Sequence, residues 1–281
     1  KLIRSQQNEI KKLQKKINEQ QILHQNQLSF MFLELHSKKL MRINYDPSII
    51  YEGQFSNLSM TEFNIPLSIK TIEKKAFYEC KFLKKIFIPQ NTKMIKDKAF
   101  KGCSSLQQIA IFSSEITFGE KVFDGIKTLE ITGKISNIPE NMFNKCSSLI
   151  EIKIPSFIKS IKSRAFYRCT SLEKISIPSS VTSIDDFAFF GCSALKQISI
   201  SSSNIKFGEK VFEGIETLEI IGDIKSIPYK MFYGCTSLKK FVIPLSITSI
   251  NDYAFAECSS LEKISIPSSV TSIGNFAFFG C

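Results

Sequence analysis

The sequence predicts a solenoid, a stack of near-identical short coils, each resting on the next. Three observations predict it: a phenylalanine at a fixed interval, a leucine at a fixed distance from it, and alternating isoleucines on the stretch that follows. Self-similarity at a fixed period of 20–50 residues is the signature of repeat architecture and is weighed before any local pattern.

The phenylalanines are Phe77, Phe100, Phe123, Phe143, Phe166, Phe189, Phe212, Phe232, Phe255 and Phe278, at intervals of 23, 23, 20, 23, 23, 23, 20, 23 and 23 residues. Leucine follows six residues after each of the first nine, from Leu83 to Leu261. Most 23-residue units then place isoleucines nine and eleven residues after the phenylalanine, as in Ile175 and Ile177 or Ile264 and Ile266, often followed by proline (Pro89, Pro155, Pro178, Pro244, Pro267). Another apolar residue, such as Ile95, Phe118, Ile138, Ile161 or Ile184, stands five residues before the next phenylalanine. The two 20-residue intervals recur 89 residues apart, and residues 171–192 and 260–281 differ at two of 22 positions, Asp185/Gly274 and Asp186/Asn275. A block of four coils has been duplicated in tandem.

Within a unit, Leu172-Glu-Lys-Ile175-Ser-Ile177 alternates apolar and polar residues, the period of a half-buried strand. Pro178 removes a backbone donor and closes that strand, and Ser179-Ser180 begin a turn. Val181, Ile184 and Phe189 bring the chain back inward. About 23 residues cannot bury their own apolar face, so each coil needs neighbours. Parallel pairing at roughly 4.8 Å makes about ten coils a rod of about 45–50 Å, with phenylalanine over phenylalanine along its axis.

The unit A-F-x-x-C-x-x-L-x-x-I-x-I-P-x-x-V-x-x-I resembles the BspA-like leucine-rich repeat of bacterial and protist surface proteins. Ala188-Phe189-Phe190-Gly191-Cys192 through Leu195, Ile198 and Ile200 carries the resemblance, as does Ala254-Phe255 through Ile266-Pro267. It covers roughly residues 55–281. The first coil departs from the pattern, with Phe55 displaced by one position, and Val122-Phe123-Asp124-Gly125-Ile126 and Val211-Phe212-Glu213-Gly214-Ile215 lack cysteine and proline. The resemblance implies a right-handed leucine-rich-repeat superhelix with a parallel β-sheet on its concave face. It also implies a cell-surface protein that attaches to host proteins or other cells.

The chain divides into residues 1–43, a helical segment, and 44–281, a solenoid of about ten coils of 20 or 23 residues. Residues 1–43 are rich in Gln, Lys and Glu, free of Pro and Gly, and made of helix formers. Ile3, Ile10, Ile17, His24 and Met31 are spaced by seven, but the second seam is Gln6, Leu13, Gln20 and Gln27. A coiled coil that self-associates and a single solvated or packed helix both fit. The apolar stretch from Leu28 to Leu35 would serve as a cap for the open end of the stack. The chain stops in mid-repeat at Cys281, which predicts a longer protein with a missing C-terminal continuation.

Charge and chemistry narrow the function. The net charge is +11, and residues 1–50 hold nine basic against four acidic side chains. Along the repeats Lys and Glu interleave, which reads as a solvated mixed-charge surface rather than a nucleic-acid stripe. No run of 18 apolar residues predicts a membrane span. All eight cysteines (Cys80, Cys103, Cys146, Cys169, Cys192, Cys235, Cys258 and Cys281) lie three residues after a repeat phenylalanine, and Ile126 and Ile215 fill the two remaining places. Isoleucine in the same place marks a buried apolar site, so these are expected to be free buried thiols, neither disulfides nor metal ligands. Both histidines, His24 and His36, lie before the solenoid. Phe118-Gly-Glu-Lys-Val-Phe123 and its copy at 207–212 lack the full phosphate-loop pattern, and Asp185-Asp186 falls in a turn. No catalytic residue, cofactor or metal is expected, and the chain is read as a non-enzyme.

The outward strand positions form the candidate binding face: Lys84, Lys85, Phe87, Gln107, Gln108, Glu151, Lys153, Glu173, Lys174, Ser176, Lys196, Gln197, Ser199, Lys239, Lys240, Val242, Glu262, Lys263 and Ser265. A protein ligand fits such a ladder better than a small-molecule substrate, since no apolar pocket is implied. Two settings are open: a surface adhesion module, and an intracellular scaffold docked through residues 1–43.

Overall fold

A computed structural model of the chain describes residues 46–281 apart from 202, 203 and 223. The expected helix over 1–43, its coiled-coil seam and its apolar cap lie outside those residues. The described part is a parallel β-solenoid of about ten turns, and no helix among the described residues is long and apolar enough to cross a membrane.

Each coil contributes one strand to a ten-stranded parallel sheet that runs from Glu62–Asn64 to Lys263–Ser265. The strand Lys174–Ile177 reads exposed, buried, exposed, buried, as its alternation requires. Its four residues pair with Gln197–Ile200 one for one, 23 residues on. The return segment also forms a short strand, such as Ser160–Ile161 or Ser183–Ile184, and these stack into three smaller parallel sheets of three or four strands. Between the two sets of sheets lies one continuous core of Ile, Leu, Phe and Cys.

The repeat phenylalanines are its axis. From Phe55 to Phe278 successive rings stand 4.9 to 5.8 Å apart. Most pairs are near parallel, at 3° for Phe166 and Phe189. Two are not: Phe123–Phe143 at 43° and Phe212–Phe232 at 44°, the two 20-residue steps. The shortened coil turns the ring because it also shifts the sheet. Ile109 pairs with Ile131 on the strand Thr128–Gly133, but the next strand pairs Ile152 with Leu129, two residues earlier. An even step keeps inward residues inward, whereas a step of one would expose the whole set. Ile198, Ile220, Leu218 and Phe241 repeat the manoeuvre in the second block. Where longer coils place proline after the strand, the short ones place Gly133 and Gly222 at positive φ, 105° and 124°. A side chain at Gly133 would collide with the Ile111 carbonyl oxygen.

The turns around each phenylalanine follow a second rule. The residues two before and two after it have positive φ in all ten coils from Phe77 onward, for example Arg164 at 54° and Arg168 at 56°. Alternate amides consequently point in different directions. Ala165, Tyr167 and Cys169 donate within the coil to Lys162, Arg164 and Phe166, closing overlapping turns. Arg164, Phe166 and Arg168 donate forward to the carbonyls of Asp186, Ala188 and Phe190, at 3.1, 2.8 and 2.7 Å. Non-glycine residues pay steric strain in the left-handed region, and these inter-coil bonds offset it.

The two motifs set aside as chemistry are built into this stacking. Asp186 accepts the Glu209 amide at 2.7 Å, and Asp97 accepts that of Glu120 at 2.9 Å. Gly208 and Gly119 lie flat against those aspartates, where an added side chain would meet the neighbouring backbone. Asp185 pairs with Lys162 at 3.4 Å. Asp124, almost fully buried, takes Lys101 at 2.8 Å and the Ser147 hydroxyl at 3.1 Å. Burial works to raise its carboxyl, but those hydrogen bonds and the Lys101 and Lys121 charges outweigh it and hold it below the usual range.

Phe166→Ala removes a ring from mid-spine and should cost about 3–5 kcal/mol. Because coils contact only neighbours, equilibrium unfolding in urea should split into two transitions as the halves uncouple; a single unshifted transition would refute the spine's role. Asp124→Asn should destabilise the protein at neutral pH. A depressed folded value means the carboxylate's contribution is present above about pH 4 and lost as pH falls below it. The melting-temperature gap between wild type and variant should therefore close in acid, and a gap independent of pH would contradict the assignment.

Candidate interaction face

The ten-stranded sheet sets every second side chain of its strands outward; thirteen of the nineteen candidate residues are at such positions, Lys84, Gln107, Glu173, Lys196, Lys239 and Glu262 stand one residue before a strand, and all nineteen are exposed or half-buried. Stacking at one strand per coil turns them into columns. Lys85 reaches Glu62 at 3.9 Å, Lys174 reaches Glu151 at 3.7 Å and Lys239 reaches Glu216 at 2.9 Å. Gln108 donates to Glu130 at 3.1 Å and Gln197 to Glu219 at 3.0 Å. Exposed pairs of this kind add little stability, so the ladder leaves the charges available to a partner. Lys240 and Lys263 stand directly opposite one another, and Lys153 stands opposite Ser176.

The face is uneven. At its N-terminal end Phe87 stacks on Phe112 at 4.7 Å, which accounts for its half-burial. Toward its other end Val242 and Ile221 are exposed apolar side chains, 66% and 44% accessible. In the middle is a shallow depression of about 320 Å³ lined by Glu151, Lys153, Lys174, Ser176, Gln197 and Ser199, closed on one side by Ile221 and floored by Ile152 and Ile175. Six of its lining residues were expected from the Leu-x-x-Ile-x-Ile spacing. Glu130, Thr132, Glu219 and Ile221 were not, because they belong to the short coils, where the inward residue follows the leucine by two positions instead of three.

Behind the face run the thiols. All eight cysteines are free, and seven are buried. Six of them are more than small apolar fillers: the Cys103 thiol donates to the Phe77 carbonyl at 3.1 Å, and Cys80, Cys169, Cys192, Cys258 and Cys281 do the same to the phenylalanine of the coil before. Burial pushes the thiols of Cys146, Cys169 and Cys235 up and that of Cys258 up to about 12. The neighbouring Cys80 thiol, reinforced by burial, raises Cys103. Among the described residues no group of three or more His, Cys, Asp or Glu is placed to hold a metal.

Burial keeps a reagent from seven of the thiols, whereas Cys281 is exposed. Iodoacetamide at pH 8 should modify Cys281 first and leave the buried seven intact until denaturant is added; uniform labelling of native protein would show the ladder is open. For Cys146, Cys169, Cys235 and Cys258, whose folded values are raised, the stability contributed is complete below about pH 8.5 and is lost as pH climbs from there toward those values.

This geometry agrees with what the chain is similar to. The model of the BspA type leucine rich repeat region matches six copies over residues 28–130, 125–237 and 225–281. A search of curated proteins found no match. Among solved structures, a leucine-rich repeat protein from Bacteroides ovatus is 24% identical over 84% of this chain and 81% of its own, with a TM-score of 0.37. A leucine rich cell surface protein from Faecalibacterium prausnitzii is 26% identical over 85% of this chain and 83% of its own, with a TM-score of 0.30. The pneumococcal vaccine antigen PcpA is 17% identical over 83% of this chain and 72% of its own, with a TM-score of 0.35. With the family pattern matched from residue 28 to residue 281, the chain belongs to the BspA-type leucine-rich-repeat family.

Proposed function

We propose that this chain is a non-catalytic protein-binding module that receives a protein ligand along its ten-stranded face, and that it works at the cell surface in adhesion to host or neighbouring cells. Leucine-rich repeats are typical interaction modules, and solenoids bind through such extended surfaces. The observation that carries the reading is the central depression, where Glu151, Lys153, Lys174, Ser176, Gln197 and Ser199 converge beside the exposed Ile221. Polar side chains around an apolar contact are the composition of a protein interface. The depression is too open and too mixed for tight capture of a small molecule. Family membership supports the surface setting, since proteins with this repeat are found there.

Surface biotinylation of intact source cells, with and without permeabilisation, tests the setting: labelling of intact cells is expected, and labelling only after permeabilisation would sink it. For the face, purified chain should compete with attachment of source cells. Lys153→Glu with Lys174→Glu should weaken that competition at least about fivefold with an unchanged melting temperature. Equal competition by wild type and variant would move the ligand elsewhere.

A further inference from the structure

The turn edge of the solenoid carries a cluster that the strand face does not account for. The described residues contain two arginines, Arg164 and Arg168, and both belong to one coil, flanking Phe166 with Tyr167 between them. Both are exposed. The Arg164 guanidinium lies over the Phe187 ring, 5.8 Å from its centroid, and that of Arg168 over Tyr167 at 5.6 Å. Tyr167 stacks on Phe190 of the next coil at 5.0 Å and 8°, and Phe187 stands 5.9 Å from Phe190. The Arg168 side chain runs across Gly191, where an added Cβ would sit 3.0 Å from its Cγ. Two cations and three rings thus form one continuous surface over two coils.

Acids of the neighbouring coils are engaged elsewhere. Asp186 accepts the Glu209 amide, Glu209 pairs with Lys230 at 3.8 Å, and Glu120 pairs with Lys145 at 2.7 Å. Glu213 takes the hydroxyls of Thr236 and Ser237 at 2.8 and 2.9 Å. Neither arginine forms an ion pair among the described residues. The internal duplication shows that the fold does not require arginine here. In the equivalent coils, 89 residues away on either side, the place of Arg168 is held by Glu79 and Glu257, which adopt the same turn at φ 57° and 64°. The place of Arg164 is held by Lys75 and Tyr253. Two cations have been concentrated on one coil, beside half-buried rings, without a structural need.

Arginine and aromatic side chains dominate the energetic centres of protein interfaces, and the guanidinium fork matches a carboxylate with two hydrogen bonds. We propose that the Arg164–Tyr167–Arg168 cluster, with Phe187 and Phe190, is a second interaction surface, separate from the strand face, that receives an acidic segment of a partner protein. The partner's carboxylates pair with the two forks, and its apolar side chains cover Tyr167 and Phe190.

Fluorescence polarisation on the full chain tests this with three labelled probes: a synthetic peptide of Asp-Glu-Phe repeats, the same peptide with Asn and Gln replacing the acids, and a heparin oligosaccharide. The acidic peptide should bind and the amide peptide should not. Arg168→Glu copies the residue found at 79 and 257, so it should fold normally yet bind about tenfold more weakly or worse. Arg164→Lys with Arg168→Lys keeps the charge and loses the forks, and should bind several-fold more weakly. Lys153→Glu with Lys174→Glu should leave the peptide affinity unchanged, which separates this surface from the strand face. Failure of the wild type to bind, or equal binding by Arg168→Glu, would overturn the proposal. So would heparin binding that exceeds peptide binding and survives the lysine variant, since that describes a general polyanion surface.

Discussion

The amides of Arg164, Phe166 and Arg168 find acceptors only in the coil that follows, and the thiols of Cys169 and Cys192 find theirs only in the coil before. Each phenylalanine ring is likewise covered only when neighbours lie above and below it. A coil of this chain is therefore never complete by itself: its hydrogen bonds and its apolar surface are both owed to other coils. That mutual dependence accounts for the regular interval between phenylalanines. It also accounts for left-handed turn residues being tolerated as Lys, Arg, Phe and Tyr, since the forward hydrogen bonds hold a conformation that those side chains disfavour.

Much of this was legible before any coordinates. Side-chain burial depends on spacing, and spacing is printed in the sequence, so the phenylalanine axis, the inward Ile175 and Ile177 and the outward ladder were all readable from the repeat. Backbone conformation was not. Nothing in Lys98, Arg164 or Tyr253 announces a positive φ, because glycine never occupies that place in the ten coils. The lateral sheets were hidden because their strands are two residues long and carry one inward side chain each, too short for a period to show. The thiol donors were hidden for another reason: a buried cysteine and a buried isoleucine look alike in a pattern of apolar residues, and Ile126 and Ile215 made the apolar reading sufficient.

The interaction face shows the same division. Residues that follow the long-coil template were found on it, including six that line the central depression. The short coils broke the template, and with it went Glu130, Glu219 and Ile221, two of which hold the glutamine side chains of the preceding coil. The turn-edge cluster was invisible for a simpler cause. Arg164, Tyr167 and Arg168 occupy variable positions of the repeat, and only the stacking of Tyr167 on Phe190 and of Arg164 over Phe187 makes them one surface.

The turn ladder has a direction. Its donors lie in the earlier coil and its acceptors in the later one, three at each 23-residue step from Lys75 to Glu257 and one, from Lys121 or Lys210, at the two 20-residue steps. The return segment just before each turn donates in the opposite sense, as Gly119 does to Ile95 and Asp185 to Ile161, so the two rows interlock each coil with both neighbours. Of the two, only the turn row has its N–H groups facing the later coils. A lone coil, flipped end for end, would find donors facing donors along that row.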